Sequence, residues 1–322
     1  MMKKPNCPII AIEEHYYDAE LVKTFTGPEA PKPGPIDERL YDFGKLRIKE
    51  MDEAGVDIQV LSHGAPSTQK IPADIAAKFT AGVNDRLAAL VKQNPKRFAA
   101  FCALPTAVPD AAADELERCV KELGMKGAMI HGTANGEFLD KEKFWPIFAR
   151  AEKLDVPIYL HPALPDQRVT DIYLKDYIQD FPLVARPAWG FTIETATIAI
   201  RMVLSGMFEK HPNLKIVLGH FGETIPFLLW RIDSALKRPG GKQVAFRDIF
   251  SKNFYLTTSG FFSNPALLCC VMEMGVDHIM FAIDWPFVID NKPAVEWMKG
   301  IPLSDDDKVK ILSGNAKRLL KM

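Results

Sequence analysis

Six titratable side chains close short apolar runs in this 322-residue sequence: Glu13 and His15 after Cys7–Ile12, His131 after Gly127–Ile130, His161 after Val156–Leu160, His220 after Lys215–Leu218 and Asp284 after His278–Phe281. In Glu13-Glu14-His15, positions 13 and 15 share one side of an extended segment, because strand residues two apart point the same way. Alone, such a tripeptide reads as surface charge. His161 and Asp284 change that reading: each ends a buried-strand pattern, and a carboxylate at that depth needs a partner. Two imidazoles and two carboxylates suit one divalent ion, Zn²⁺ or Mn²⁺, with an open coordination position, whereas a closed structural zinc site would call for thiolates.

A second group surrounds these four. In Gly219-His220-Phe221-Gly222-Glu223 the glycines permit a tight turn and Glu223 can orient the imidazole, which suggests an acid/base pair or an outer support for the ion. Arg231 falls eight residues beyond Glu223, about two turns along the same expected helix. It can offer a fork to a substrate carboxylate, or pair with Asp233 or another surface acid. His63, in Ser62-His63-Gly64, and His131 are candidates to line a pocket, while His211 and His278 read as structural.

Something must bring these residues to one place. Apolar runs rich in β-branched residues alternate with segments of helical period, the mark of βα units. The expected strands are Cys7–Ile12, Asp57–Leu61, Phe98–Leu104, Gly127–Ile130, Val156–Leu160, Lys215–Leu218, Phe254–Thr257 and His278–Phe281. The expected helices are Gly44–Ala54, Asp74–Gln93, Pro109–Leu123, Glu142–Lys153, Phe191–Glu209, Glu223–Ala235, Asn264–Met274 and Ser304–Leu319. Gly55, Gly124 and Gly275 each follow a helix and precede a strand, as left-handed helix-ending glycines do. Ser304 with Asp307 resembles a capping box and starts the last helix. Thr24–Pro35 and Pro162–Pro187 are long connections after strands one and five, expected as rim or lid elements. The class is therefore α/β, a (β/α)8 TIM barrel with loop insertions on its C-terminal face, forming a single domain over 1–322. In such a barrel, residues at the strand ends meet at the mouth.

Composition narrows the partners. With 40 basic and 41 acidic residues and a net charge of -1, there is no basic footprint for nucleic acid or an anionic membrane. Apolar stretches fall short of the roughly 18 residues of a membrane span, and the start of the chain does not read as a signal peptide. The five cysteines, Cys7, Cys102, Cys119, Cys269 and Cys270, lack CxxC spacing and read as reduced core residues. A cytoplasmic protein with a small-molecule partner is expected.

Taken together these residues resemble the ACMSD-related branch of the amidohydrolase superfamily, over nearly the whole chain. The resemblance rests on Ile9-Ile10-Ala11-Ile12-Glu13-Glu14-His15, Asp155-Val156-Pro157-Ile158-Tyr159-Leu160-His161-Pro162, Leu218-Gly219-His220-Phe221-Gly222-Glu223, Thr257-Thr258-Ser259-Gly260, Asp284-Trp285-Pro286-Phe287 and Gly314-Asn315-Ala316-Lys317-Arg318-Leu319. Within the branch, the opening Glu-Glu-His is similar to the phenolic-acid decarboxylases. The resemblance implies a metal held by Glu13, His15, His161 and Asp284, and non-oxidative loss of CO2 from a hydroxybenzoate. It further implies His220 with Glu223 as the neighbouring catalytic pair and a homodimer or homotetramer; as a working hypothesis, Asp284 is the acid that protonates the carboxyl-bearing ring carbon. A small aromatic acid would meet Arg231, His131, His63 and Phe287. Ile130-His131-Gly132-Thr133 departs from the γ-resorcylate decarboxylase pattern, which has an asparagine and a longer loop there. Lys126 precedes strand four, so the carboxylated lysine of two-metal relatives has no counterpart and one metal is expected. Hydrolysis of a lactone or related ring substrate by the same ligands stays as the alternative.

Overall fold

The computed structural model describes residues 6–237, 244–287 and 291–322. Met1–Pro5, which bear on the signal-peptide expectation, lie outside them. The strands are β1 (Ile10–Tyr16), β2 (Ile58–His63), β3 (Phe98–Ala100), β4 (Ala128–His131), β5 (Ile158–His161), β6 (Ile216–Leu218), β7 (Phe254–Thr257) and β8 (Ile279–Met280). All neighbours pair in parallel, in two ladders, β1-β2-β3 and β4-β5-β6-β7-β8. Backbone bonds join the ladders into a closed barrel. On one side the Cys102 N–H donates to the Gly127 carbonyl at 3.0 Å; on the other the Ile12 N–H reaches Phe281 O at 3.2 Å and the His15 N–H reaches Trp285 O at 2.8 Å.

Inside lies a core layer of Ile10, Ile12, Val60, Ala99, Phe101, Met129, Tyr159, Val217, Met280 and Ala282, joined by Ala316, Leu319 and Leu320 of the last helix. Alternate strand residues such as Ala11, Leu61, Ala128, Leu160 and Leu218 pack outward against the helices. Continuing the inward alternation brings His131, His161, Thr257 and Asp284 to the upper end of the interior. β1 needs an extra device. Ile10 and Ile12 face inward, so strict alternation would turn Glu14 inward as well. The β1–β2 register instead slips by one residue between Ala11 and Glu14, a β-bulge, and beyond it Glu13 and His15 share the inward side.

β1, β2, β4 and β5 extend further than their apolar runs, to Tyr16, His63, His131 and His161. Ladder hydrogen bonds come from the backbone and do not stop at the first polar side chain. The helical expectations hold with four corrections, the first being that Glu142–Lys153 opens as a 3-10 turn, Glu142–Phe144, before the α-helix Trp145–Leu154. Phe191–Glu209 is two helices, Gly190–Leu204 and Met207–Lys210, divided at Gly206 with φ 86°. Helix Ile225–Ala235 starts after Glu223, which belongs to a left-handed turn. Ser304–Leu319 is interrupted by a π-helical turn, Lys310–Gly314, whose Ile311 carbonyl accepts from the Phe281 N–H. Ser304 does cap that segment, accepting from Asp307 N. Gly55 and Gly124 have positive φ, as does Gly275, although the latter's ψ of 152° is extended rather than helical.

The long connections Thr24–Pro35 and Pro162–Pro187 follow β1 and β5 on the C-terminal face. They hold short helical turns, Gly27–Glu29 and Pro182–Ala185, and a helix, Gln167–Tyr173. They touch one another: Arg186 donates to the Pro28 carbonyl. Among the described residues no helix is long and apolar enough to cross a membrane. All five cysteines are free thiols.

Candidate metal centre

Glu13, His15, His161 and Asp284 each present one ligand atom, all within 4.8 Å of one another and all buried. His15 Nε2 lies 3.2 Å from Asp284 Oδ1, and His161 Nε2 lies 3.3 Å from Glu13 Oε1. Three of these atoms, Glu13 Oε1, His15 Nε2 and Asp284 Oδ1, have no hydrogen-bond partner despite full burial. Orphaned polar atoms converging on one point are what an ion would satisfy. Burial pushes the Glu13 carboxyl up to about 8, against the pull of His220, so a cation would have to supply what the chain does not. The donor set fits one divalent metal.

Neighbouring groups aim these ligands. His161 Nδ1 donates to the Pro162 carbonyl at 2.7 Å, which leaves Nε2 as the lone-pair donor. Burial holds its imidazole well below the usual range, and His15 adds to that effect. The other oxygen of Glu13 accepts from the Tyr159 hydroxyl, which lies 2.8 Å from Thr257 Oγ1. Gly219 leaves room for that carboxylate: a Cβ there would stand 2.9 Å from Glu13 Oε2 and 3.2 Å from the Tyr159 hydroxyl. Its φ of -69° makes no demand for glycine, so space alone requires it.

His220 is positioned by an unusual turn. His220, Phe221, Gly222, Glu223 and Thr224 all have positive φ, between 50° and 75°. Left-handed residues other than glycine persist only where their surroundings over-determine them, and they cluster at functional sites. The turn returns Glu223 beneath its own histidine, where Glu223 Oε1 meets His220 Nδ1 at 2.7 Å. Nε2 then faces the cluster, 3.8 Å from Asp284 Oδ2 and 3.9 Å from Glu13 Oε1. Burial opposes charge on His220, but Glu223, Glu13 and Asp284 outweigh it and raise the imidazole well above its ordinary value. Asp284, despite burial, is held below the carboxylate range by His15 and His220.

The expected pocket residues divide. The His131 ring lies 4.7 Å from that of His161, and its Nε2 has no partner, so it belongs beside the cluster. Phe287 lies 5.5 Å from the His15 ring and is partly exposed, as a pocket wall would be. His63 is held by the backbone. Its Nε2 accepts from the Asp18 N–H at 3.0 Å and its Nδ1 donates to Gly64 O at 2.7 Å, so the backbone consumes both nitrogens and only the ring edge is left for a substrate. Arg231 stands exposed on helix Ile225–Ala235, away from its buried residues Ile225, Pro226 and Leu229. Since Glu223 lies outside that helix, the two-turn spacing no longer aims the guanidinium at the site. His211 and His278 are structural, facing Glu152 Oε2 and the Phe254 carbonyl. Sequence reasoning missed Tyr159, although its place two residues before His161 on a buried strand puts it on the same face, and a buried hydroxyl needs a partner.

The family described as amidohydrolase matches residues 15–322. The γ-resorcylate decarboxylase of Polaromonas sp. is 40% identical, with 97% of this chain and 98% of that one covered. A crystal structure of 2,6-dihydroxybenzoate decarboxylase with 2,6-dihydroxybenzoate superposes with a TM-score of 0.89 at 37% identity, covering 98% of this chain and 100% of that one. A dihydroxybenzoic acid decarboxylase from Polaromonas sp., with manganese and the inhibitor 2-nitroresorcinol, gives 0.88 at 38%, covering 98% and 97%.

Proposed function

The chain belongs to the amidohydrolase family, and from that premise we propose that it is a metal-dependent, non-oxidative decarboxylase of hydroxybenzoate-type aromatic acids. The observation that carries this reading is the buried convergence of Glu13, His15, His161 and Asp284, with His220 and Glu223 at its edge. When bound, a divalent ion supplies fixed positive charge against which an aromatic carboxylate and an adjacent phenolic oxygen are oriented. Manganese, present in the Polaromonas structure, is the first ion to test and zinc the second.

The side chains then divide the work. Asp284 delivers a proton to the carboxyl-bearing ring carbon; the carbon–carboxylate bond breaks, its electrons restore the aromatic ring, and CO2 leaves. His220, 3.8 Å away, returns the proton to Asp284, and Glu223 holds the imidazole in register. His131 and Phe287 border the ring. Arg231 remains a proposed contact for the substrate carboxylate.

We read residues 1–322 as one cytoplasmic domain that assembles as a homodimer or homotetramer. Support for assembly comes from large apolar side chains left in water by a single chain: Phe227 is 83% exposed and Trp230 71% on helix Ile225–Ala235, Tyr173 and Phe181 are exposed on the β5 connection, and Trp189 is exposed just beyond it. Apolar surface of this kind marks an interface.

The test is CO2 release by manganese-loaded protein over a panel of hydroxybenzoates, with deuterium from heavy water expected at the vacated ring carbon. Asp284→Asn should lose turnover. Retained turnover in that variant would remove Asp284 as the acid, and incorporation of solvent oxygen without CO2 release would replace decarboxylation by hydrolysis.

A further inference from the structure

Glu14 sits between two residues of the cluster in sequence but faces the opposite way, and its surroundings give it a role. It is fully buried, its Oε1 accepting from the Ile283 N–H at 2.9 Å and its Oε2 from the Trp285 N–H at 3.3 Å. These two amides flank Asp284, whose φ is 67°. The amide between them, that of Asp284 itself, donates to the Glu13 carbonyl at 3.1 Å. Three consecutive N–H groups, those of Ile283, the left-handed Asp284 and Trp285, are thus held by two consecutive residues of β1.

Arg47 completes the arrangement. It is fully buried, donates to the His15 carbonyl at 2.5 Å and to Gln59 Oε1 at 3.1 Å, and lies 3.9 Å over the Trp285 ring. The Trp285 indole in turn donates to Glu50 Oε2 at 2.8 Å. The geometry points to Glu14 and Arg47 as positioning residues that brace Asp284 and His15 from behind, holding the strained aspartate where its carboxylate meets the ion. A backbone conformation that is costly for aspartate survives only under such constraint. The amides need two acceptors, so a carboxylate is required: in Glu14→Gln one N–H would face an NH2 group.

This inference rests on the four-ligand reading, and its test separates the two. Manganese binding is titrated on metal-free protein by the paramagnetic resonance of the free ion, for the parent, Glu14→Gln, Arg47→Lys and Glu13→Ala, with metal-free thermal midpoints measured alongside. The brace predicts manganese binding weakened roughly 10- to 100-fold in Glu14→Gln and Arg47→Lys, the range for groups that orient metal ligands, and kcat falling with KM held. Parental manganese affinity in both variants, with only the thermal midpoint lowered, would reduce the pair to a folding role and overturn the inference. Should Glu14→Gln not fold, Arg47→Lys, which keeps the charge but loses the fork, decides alone. If Glu13→Ala also binds manganese as tightly as the parent, the ligand reading itself fails and the brace falls with it.

Discussion

Gly219→Ala adds one methyl group to a backbone that accepts it, with φ -69° and ψ -176°. The new Cβ would stand 2.9 Å from Glu13 Oε2, 3.2 Å from the Tyr159 hydroxyl and 3.3 Å from Glu13 Oε1. Ordinary van der Waals contact begins at 3.4 Å, so the nearer oxygen must retreat by 3.4 − 2.9, or 0.5 Å. The Tyr159 hydroxyl, hydrogen-bonded to that oxygen, must move with it. Overpacking of this kind costs about 1–3 kcal/mol of stability. Displacement of one ligand should weaken the ion by roughly 10- to 100-fold, as loss of a ligand-orienting group does. Calorimetric titration of manganese into metal-free protein measures it, with Gly44→Ala, whose Cβ meets nothing within 4 Å, as the control. Parental manganese affinity in Gly219→Ala, with the fold intact, would show that Glu13 does not hold the ion where its carboxylate now lies.

Two further outcomes can be checked away from the metal. Arg86 donates to Asp18 at 2.6 and 2.9 Å, and although burial opposes it, this pairing holds the Asp18 carboxyl below its ordinary 3.8. A depressed folded pKa stabilises above the unfolded value and is lost as pH falls through the folded one. Asp18→Asn should therefore cost about 1 kcal/mol at neutral pH, discounted because Arg86 is half exposed, and the gap in urea midpoints should close below pH 3.8; a gap independent of pH would refute the pairing. Trp230→Glu should shift the mass seen by light scattering toward monomer without altering circular dichroism, and an unchanged mass would take this face out of the interface.

The barrel was legible because its evidence is repeated: eight apolar runs separated by helical segments, with Gly55, Gly124 and Gly275 marking the returns. The four clustered side chains were legible for a related reason, since each closes or extends a buried run. What escaped was set by backbone geometry rather than residue type. Five consecutive positive φ angles, the fourth that of Glu223, set it outside the helix it was assigned to, and within that stretch only Gly222 hinted at a turn. His63 shares with His131 and His161 a place at a strand end, yet its nitrogens are spent on Asp18 and Gly64, a fact of loop packing. Tyr159 and Glu14 looked like ordinary members of strands until the third dimension gave them partners.

The bulge in β1 has a consequence for heredity. Ile10 and Ile12 belong to the barrel interior, and the single extra residue that follows sets Glu13 and His15 inward and Glu14 outward. Loss of the Glu13 codon would leave an uninterrupted parallel strand in which Glu14 and His15 keep their pairing with Leu61 and Ser62, and so their faces, while one inward carboxylate disappears. Such a lineage would keep a foldable barrel and three of the four clustered side chains, and one codon regained would restore the fourth. Chemistry in this chain thus hangs on a count of residues as much as on their identity.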